Sequence, residues 1–295
     1  MAKVTQKFDV YTEITNQIIA AIEKGADTFQ MPWHRTGTDT MSPVNIDTGN
    51  AYRGINIVSL WAAAHVRDFK TGVWGTYRQW QNAGCQVRKG EKSAVVIFYK
   101  EFEHDDEDAS DDQPRKRLMA RASRVFNADQ VDGYAPEAST PIVNQVSPIE
   151  AADRFITATK VEIRHGGESA YYAPATDVIQ MPPREVFHGS ATSTATEAYY
   201  STLLHELVHF SGHESRCARL ETVNPDKDAY AREELVAELG AAFLCNQLGV
   251  TLEPRPDHAA YISHWLKILK ADSKAIFQAS SLATKAVDFL KGLQA

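Results

Sequence analysis

His205-Glu206-Leu207-Val208-His209 is the stretch whose reading decides the fold. Residues four apart on an α-helix lie one turn apart on the same face, so the two imidazoles can present nitrogens to one metal ion. Glu206 follows the first histidine directly, and its carboxylate can reach a water on that metal without binding the metal, as a general base must. An HExxH match of five residues also arises by chance, so its flanks decide. Thr194 to Ser211 reads as one helix. Thr194 and Glu197 have capping-box spacing, no Pro or Gly interrupts the run, Leu204, Leu207, Val208 and Ser211 can back onto a core, and Gly212 stops it.

A catalytic zinc site takes three protein ligands and keeps a fourth position for water, so a third ligand must come from elsewhere. Two candidates compete. His205-x3-His209-x2-Gly212 begins a longer pattern whose third histidine would fall at position 215, which is Ser215, and the nearby His213 is on a chain leaving the helix. The better candidate lies in the run Glu233 to Leu244, read as a second helix with Glu234 and Glu238 on one face and with Ala237, Gly240 and Ala241 small enough for close packing. Glu234 would bind the metal, and Glu238 would accept the second N–H of a ligand histidine.

Glu234-x2-Ala237-Glu238-x2-Ala241 resembles the ExxA(D/E)xxA helix of gluzincin metallopeptidases, in which the first acid is the zinc ligand. More of the chain is similar to the ArdC family of plasmid antirestriction proteins, which is related to the N-terminal part of plasmid TraC primases. The matching stretches are Pro32-Trp33, Pro43-x-Asn45, Tyr52-Arg53-Gly54-x-Asn56, Trp74-x-Thr76-Tyr77, Val87-Arg88-Lys89-Gly90-Glu91-Lys92, Val125-Phe126-Asn127-x2-Gln130, Met181-Pro182-Pro183 and the HExxH helix through His213. The resemblance implies protection of incoming plasmid DNA from host restriction during conjugation, single-stranded DNA binding by the N-terminal domain, and a zincin-like C-terminal domain.

The expected class is therefore α+β with two domains. A single-stranded-DNA-binding domain over 1–140, with a mobile acidic loop at 103–117, is joined by a linker at 141–148 to a zincin-like, gluzincin-type metallopeptidase domain over 149–295. Pro, Ser, Thr and Asn between Pro136 and Pro148 mark the junction. No signal-like apolar core opens the chain and no run of about 18 apolar residues occurs, so a cytoplasmic protein without a membrane partner is expected. Cys85, Cys217 and Cys245 share no CxxC spacing and read as reduced thiols.

The net charge of −7 conceals an asymmetry, because residues 1–102 carry 12 Lys and Arg against 9 Asp and Glu. The front of the chain would thus hold nucleic acid. It reads as helices over Asp9–Lys24, Ile55–Val66 and Thr76–Asn82, a loop over Pro32–Gly54 carrying Trp33, His34 and Arg35, and strands Gln86–Arg88 and Ala94–Tyr99 flanking a turn at 89–92. Arg53, Arg78, Arg88, Lys89 and Lys92 lie among Trp74, Tyr77 and Trp80, the mixture of phosphate-tracking cations and stacking faces that single strands require. Composition alone favours buried tryptophans with a solvated cationic rim. The resemblance favours DNA contact, with Arg53, Trp74, Tyr77, Arg78, Arg88, Lys89 and Lys92 as candidates.

Behind the junction, Lys160–Arg164 and Asp177–Met181 read as strands around the Gly166-Gly167 turn, the second being the place for an edge strand that pairs with a peptide. The expected chemistry is zinc-dependent peptide hydrolysis, with one Zn2+ per chain or another divalent metal on His205, His209 and Glu234. Glu206 would be the base, and Tyr230 or His213 would face the developing oxyanion. A protein substrate linked to host restriction is the further partner expected of the peptidase domain. A DNA-coating protein with a purely structural metal is the rival, and such a site has no use for Glu206.

Overall fold

The computed structural model describes residues 9–25, 31–33, 42–104, 115–135, 148–189, 193–220, 227–250 and 258–294. His34, Arg35, the centre of the acidic run and nearly all of the expected linker lie outside the described residues. The first half holds α1 (Val10–Gly25), β1 (Val44–Asn45), α2 (Ile55–Arg67), β2 (Val73–Gly75), α3 (Tyr77–Asn82), β3 (Gln86–Val87), β4 (Ala94–His104), β5 (Arg115–Asn127) and β6 (Val131–Asp132). The second holds α4 (Pro148–Ala158), β7 (Glu162–His165), β8 (Tyr171–Ala173), β9 (Val178–Met181), α5 (Ala195–Ser211), α6 (Lys227–Leu248), α7 (His258–Ala271) and α8 (Ala275–Gly292). Among the described residues no helix is long and apolar enough to cross a membrane.

The helical periodicity of Ile14, Ile18 and Ile22 becomes a fully buried face of α1 packed on α2. α2 in turn covers the sheet, whose strand order is β1-β2-β5-β4. β4 is an edge strand, and α2 supplies hydrogen bonds to its open side. The Asn56 amide donates to the Ile97 carbonyl at 2.8 Å and accepts from the Ile97 N–H at 2.7 Å, while Ser59 Oγ donates to the Val95 carbonyl at 2.8 Å. Side chains thus do here what a neighbouring strand would do, which blunts the edge.

Strand pairing departs from the local pattern. Gln86–Val87 and Ala94–Tyr99 do not form a hairpin around the 89–92 turn, because β3 pairs with β6 and β4 pairs with β5 in unbroken register from Ala94↔Val125 to His104↔Arg115. The acidic segment is correspondingly narrower than 103–117, since strand continues to His104 and resumes at Arg115. Past the junction, β7 and β9 run parallel, so they cannot be the two arms of a Gly166-Gly167 hairpin. An intervening strand, β8, makes the order β7-β9-β8, which puts Val178–Met181 in the middle of the sheet and Tyr171–Ala173 at its edge.

α5 begins as its sequence dictates. Thr194 Oγ1 accepts from the Glu197 N–H and the Glu197 carboxylate accepts from the Thr194 N–H, a reciprocal capping box. α6 crosses α5 at Gly240, where a Cβ would lie only 2.8 Å from Val208 Cγ2. One core cluster runs from Ile14 and Trp33 through Leu204 and Leu235 to Trp265 and Leu290, so apolar residues of both halves pack into a shared interior. A smaller cluster around Trp80, Cys85 and Val131 lies under β3 and β6.

Candidate functional site

The one-turn spacing of His205 and His209 on α5 and the approach of α6 bring three donors together. His205 Nε2 and His209 Nε2 are 3.2 Å apart, and the Glu234 oxygens lie 3.4 Å from the first and 3.5 Å from the second. A tetrahedral ion with ligands at about 2.0–2.1 Å separates any two of them by about 1.6 times the bond length, or about 3.3 Å. The three side chains therefore already lie close enough to share one ion, with a different Glu234 oxygen near each histidine, and Glu206 is not among them.

Charge points the same way. Glu206, Glu234 and Glu238 are buried at 3%, 7% and 1% exposure, and Glu233 joins them with Arg219 as the neighbouring guanidinium. Such a set in a dry interior is costly unless a cation compensates it. Burial works to lower the His209 pKa, but the Glu233 and Glu234 carboxylates outweigh it and lift the ring to about 10. Burial likewise favours neutral Glu234, yet His205 and His209 hold its carboxyl far below the usual carboxylate range. The residues fit a divalent cation.

Each of the two imidazoles has a carboxylate near its other nitrogen. Glu238 Oε2 lies 3.6 Å from His205 Nδ1, and Glu233 Oε1 lies 3.0 Å from His209 Nδ1. Glu233 is gripped in turn by Arg219, whose Nε and Nη2 donate to it at 2.8 and 3.0 Å. Arg219 reaches this position because Gly212 has no side chain, a Cβ there standing 2.9 Å from Arg219 Nη2. The sequence reading missed both Glu233 and Arg219. The doubled acid Glu233-Glu234 was the available signal, since two histidines need two outward partners.

Glu206 sits beside the donors with its own anchor, Oε2 accepting from the Tyr172 backbone N–H at 2.9 Å. Tyr172 belongs to β8 and is fixed at its phenol, which donates to Asp177 at 2.6 Å and accepts from Arg216 Nη2 at 2.9 Å. A cavity of about 530 Å³ opens here, walled by Tyr171, Pro174, Leu220, Tyr230, Tyr261 and Leu282 among others. Tyr230 faces this space, and burial, Tyr261 and Glu234 all raise its phenol pKa, so it remains a hydrogen-bond donor. His213 does not line it, and its Nδ1 accepts from Ser215 instead.

The DNA candidates are divided. Trp74 is 1% exposed and packs edge-on against Phe69, so its faces are core and not a stacking platform; Trp80 is equally buried. Tyr77, Arg88 and Lys89 come together around a shallow cavity of about 520 Å³ with Gln86, Gly90 and Phe126, and Arg78 and Lys92 are exposed nearby in the chain. Arg88 is partly committed, donating to the Asp129 carbonyl and lying 3.4 Å from both Asp132 and Glu91. Arg53 is not part of this group, as its Nη2 sits 2.7 Å from Asp288 of α8. The sequence reading missed Phe98 and Arg121, exposed cross-strand neighbours on one face of β4 and β5.

The geometry predicts that Glu234→Ala loses the metal, whereas Glu238→Ala or Glu233→Ala weakens its affinity about 10- to 100-fold. Metal titration of the three variants checks this. An empty Glu238→Ala site beside a loaded Glu234→Ala site would reverse the two roles.

Comparison with known proteins agrees with both halves. Residues 150–282 match the model of a zincin-like metallopeptidase family, and residues 8–126 match that of the N-terminal domain of anti-restriction factor ArdC. The uncharacterized protein y4eC of Sinorhizobium fredii is 45% identical, over 97% of this chain and 92% of that one. DNA primase TraC of Escherichia coli is 34% identical over 98% of this chain, which spans only 27% of the primase. The metal-free crystal structure of the antirestriction ArdC protein from the R388 plasmid superimposes with a TM-score of 0.78 at 38% identity, covering 97% of this chain and 98% of that one. The Mn(II)-bound structure of the same protein gives 0.76 at 37% identity, covering 98% and 99%. On this evidence, following from a metal-type donor triad on a zincin-like helix pair, the chain belongs to the ArdC family of antirestriction proteins.

Proposed function

We propose that the chain is a cytoplasmic antirestriction protein that binds single-stranded DNA of an incoming plasmid during conjugation and carries a zinc peptidase in its C-terminal half. The observation that carries the peptidase reading is Glu206, buried beside the donor triad, held by the Tyr172 N–H, and outside the ligand set. A site that only held the fold together would have no use for it. A bound Zn2+ would supply Lewis acidity toward a peptide carbonyl and make water easier to deprotonate. His205, His209 and Glu234 would hold that ion, and Glu206 would take the proton from the attacking water and hand it to the leaving amine. The Tyr230 phenol, held in its protonated form, would face the oxyanion. The outer edge of β8, not β9, flanks the cavity, and an extended peptide would lie along it.

A DNA-coating role with a structural metal is the second reading. It is favoured by the continuous core, in which Trp33 is bonded to Glu238 on the helix that carries Glu234. Glu206→Gln separates the two. The peptidase reading expects hydrolysis to fall about 10²- to 10⁴-fold with metal content and melting unchanged. A wild-type chain that holds the metal but cleaves no peptide in a diverse library would leave the structural reading standing.

The DNA surface is proposed at Tyr77, Lys89 and Lys92, with Arg78 and Arg88 beside them. Lys89→Ala or Lys92→Ala should reduce the slope of log K against log salt by about 0.7, one phosphate on a single strand. Tyr77→Ala should weaken binding by about 1–3 kcal/mol at unchanged slope. Salt titrations of a labelled oligonucleotide check both. Unchanged affinity and slope in all three folded variants would move the interface to the Phe98–Arg121 face.

A further inference from the structure

Trp33 lies in the front half of the chain, yet its side chain belongs to the back half's metal centre. Its indole Nε1 donates to Glu238 Oε1 at 3.0 Å, and the two residues are 2% and 1% exposed. The other Glu238 oxygen is the one 3.6 Å from His205 Nδ1. The indole N–H anchors one oxygen of this buried carboxylate, and the plane so set decides whether the second oxygen, just beyond hydrogen-bond reach of His205 Nδ1, closes on the imidazole. Trp33 is itself held, with its ring 6.4 Å from that of Trp265, whose Nε1 donates to the Ala231 carbonyl at 2.9 Å. A second tether lies farther along α6, where Ser42 Oγ donates to Asn246 Oδ1 at 2.9 Å.

We infer that Trp33 is a positioning residue of the metal centre, through which the seating of the N-terminal segment on α6 sets how tightly His205 binds the ion. The inference rests on the reading of His205, His209 and Glu234 as the ligands, and adds that the order of the ligand shell depends on the front half of the chain. The chain of contact is Trp33 to Glu238 to His205. Without the indole N–H, one oxygen of a carboxylate in a dry site loses a donor, and the group is freer to turn away from His205. Linkage makes the effect reciprocal, so a bound ion also tightens the hold of α6 on the Trp33 segment.

A bystander tryptophan whose N–H merely found an acceptor makes a different prediction, and a double-mutant cycle on the full chain separates them. Zn2+ affinity is measured against a competing chelator for wild type, Trp33→Phe, Glu238→Ala and the double variant. An outer partner of a ligand histidine is worth about 10- to 100-fold, so Trp33, one bond farther out, should cost about three- to tenfold in the wild-type background and nothing in the Glu238→Ala background, where no acceptor remains for the indole. Equal affinity of Trp33→Phe and wild type, or the same loss in both backgrounds, overturns the inference. A wild type that binds no Zn2+ overturns the metal reading itself. Should Trp33→Phe fail to fold, amide exchange of the wild type decides. Zn2+ must then slow exchange at Met31, Trp33, Ser42, Val44 and Asn45 more than at the remote Ile97 amide, and uniform slowing overturns the inference.

Discussion

The close crossing of α5 and α6 at Gly240 is the contact on which the rest of the site depends. With a Cβ at that position 2.8 Å from Val208, the helices would have to separate, and Glu234, fixed on the same helix less than two turns earlier, would withdraw from both histidines. A glycine inside a helix costs roughly 0.5–1 kcal/mol relative to alanine. Here that cost is offset by an approach that brings Glu234 beside both His205 and His209 and encloses Glu238 and Glu233 in the same interface.

Support for this crossing comes from three directions. Arg219, on the chain that folds back after Gly212, ties Glu233 to the Val208 carbonyl and so joins α6 to α5 across the site. Asp177 and Arg216 fix Tyr172, whose N–H holds Glu206, so that β8 and the end of α5 are braced together. Trp33 closes the remaining side from the front half of the chain. The geometry of the candidate site is thus shared among segments far apart in sequence, and the front and back of the chain pack around one core.

What could be read from the sequence was what local periodicity specifies. The capping box at Thr194 and Glu197, the stop at Gly212, the paired histidines and the facing acids of α6 are all set within one or two helical turns. Pairings between distant strands were not readable. β3 takes β6 as its partner across more than forty residues, and β8, three residues long, has no periodicity to announce it. The burial of Trp74 was ambiguous for a related reason, since an aromatic residue beside arginines reads alike as core or as a stacking face until its neighbour, Phe69, is known. Glu233 and Trp33 went unassigned because their partners, His209 and Glu238, lie on other elements.

In the proposed reading, α5 and α6 present His205, His209 and Glu234 to one divalent ion while Glu206 stands aside. The most direct test is anomalous diffraction from crystals of the full chain loaded with Zn2+. The account predicts one strong peak bonded to His205 Nε2, His209 Nε2 and a Glu234 oxygen, with Glu206 still on the Tyr172 N–H. A peak ligated by Glu206 or Glu238 in place of Glu234, or none between the two helices, would contradict it.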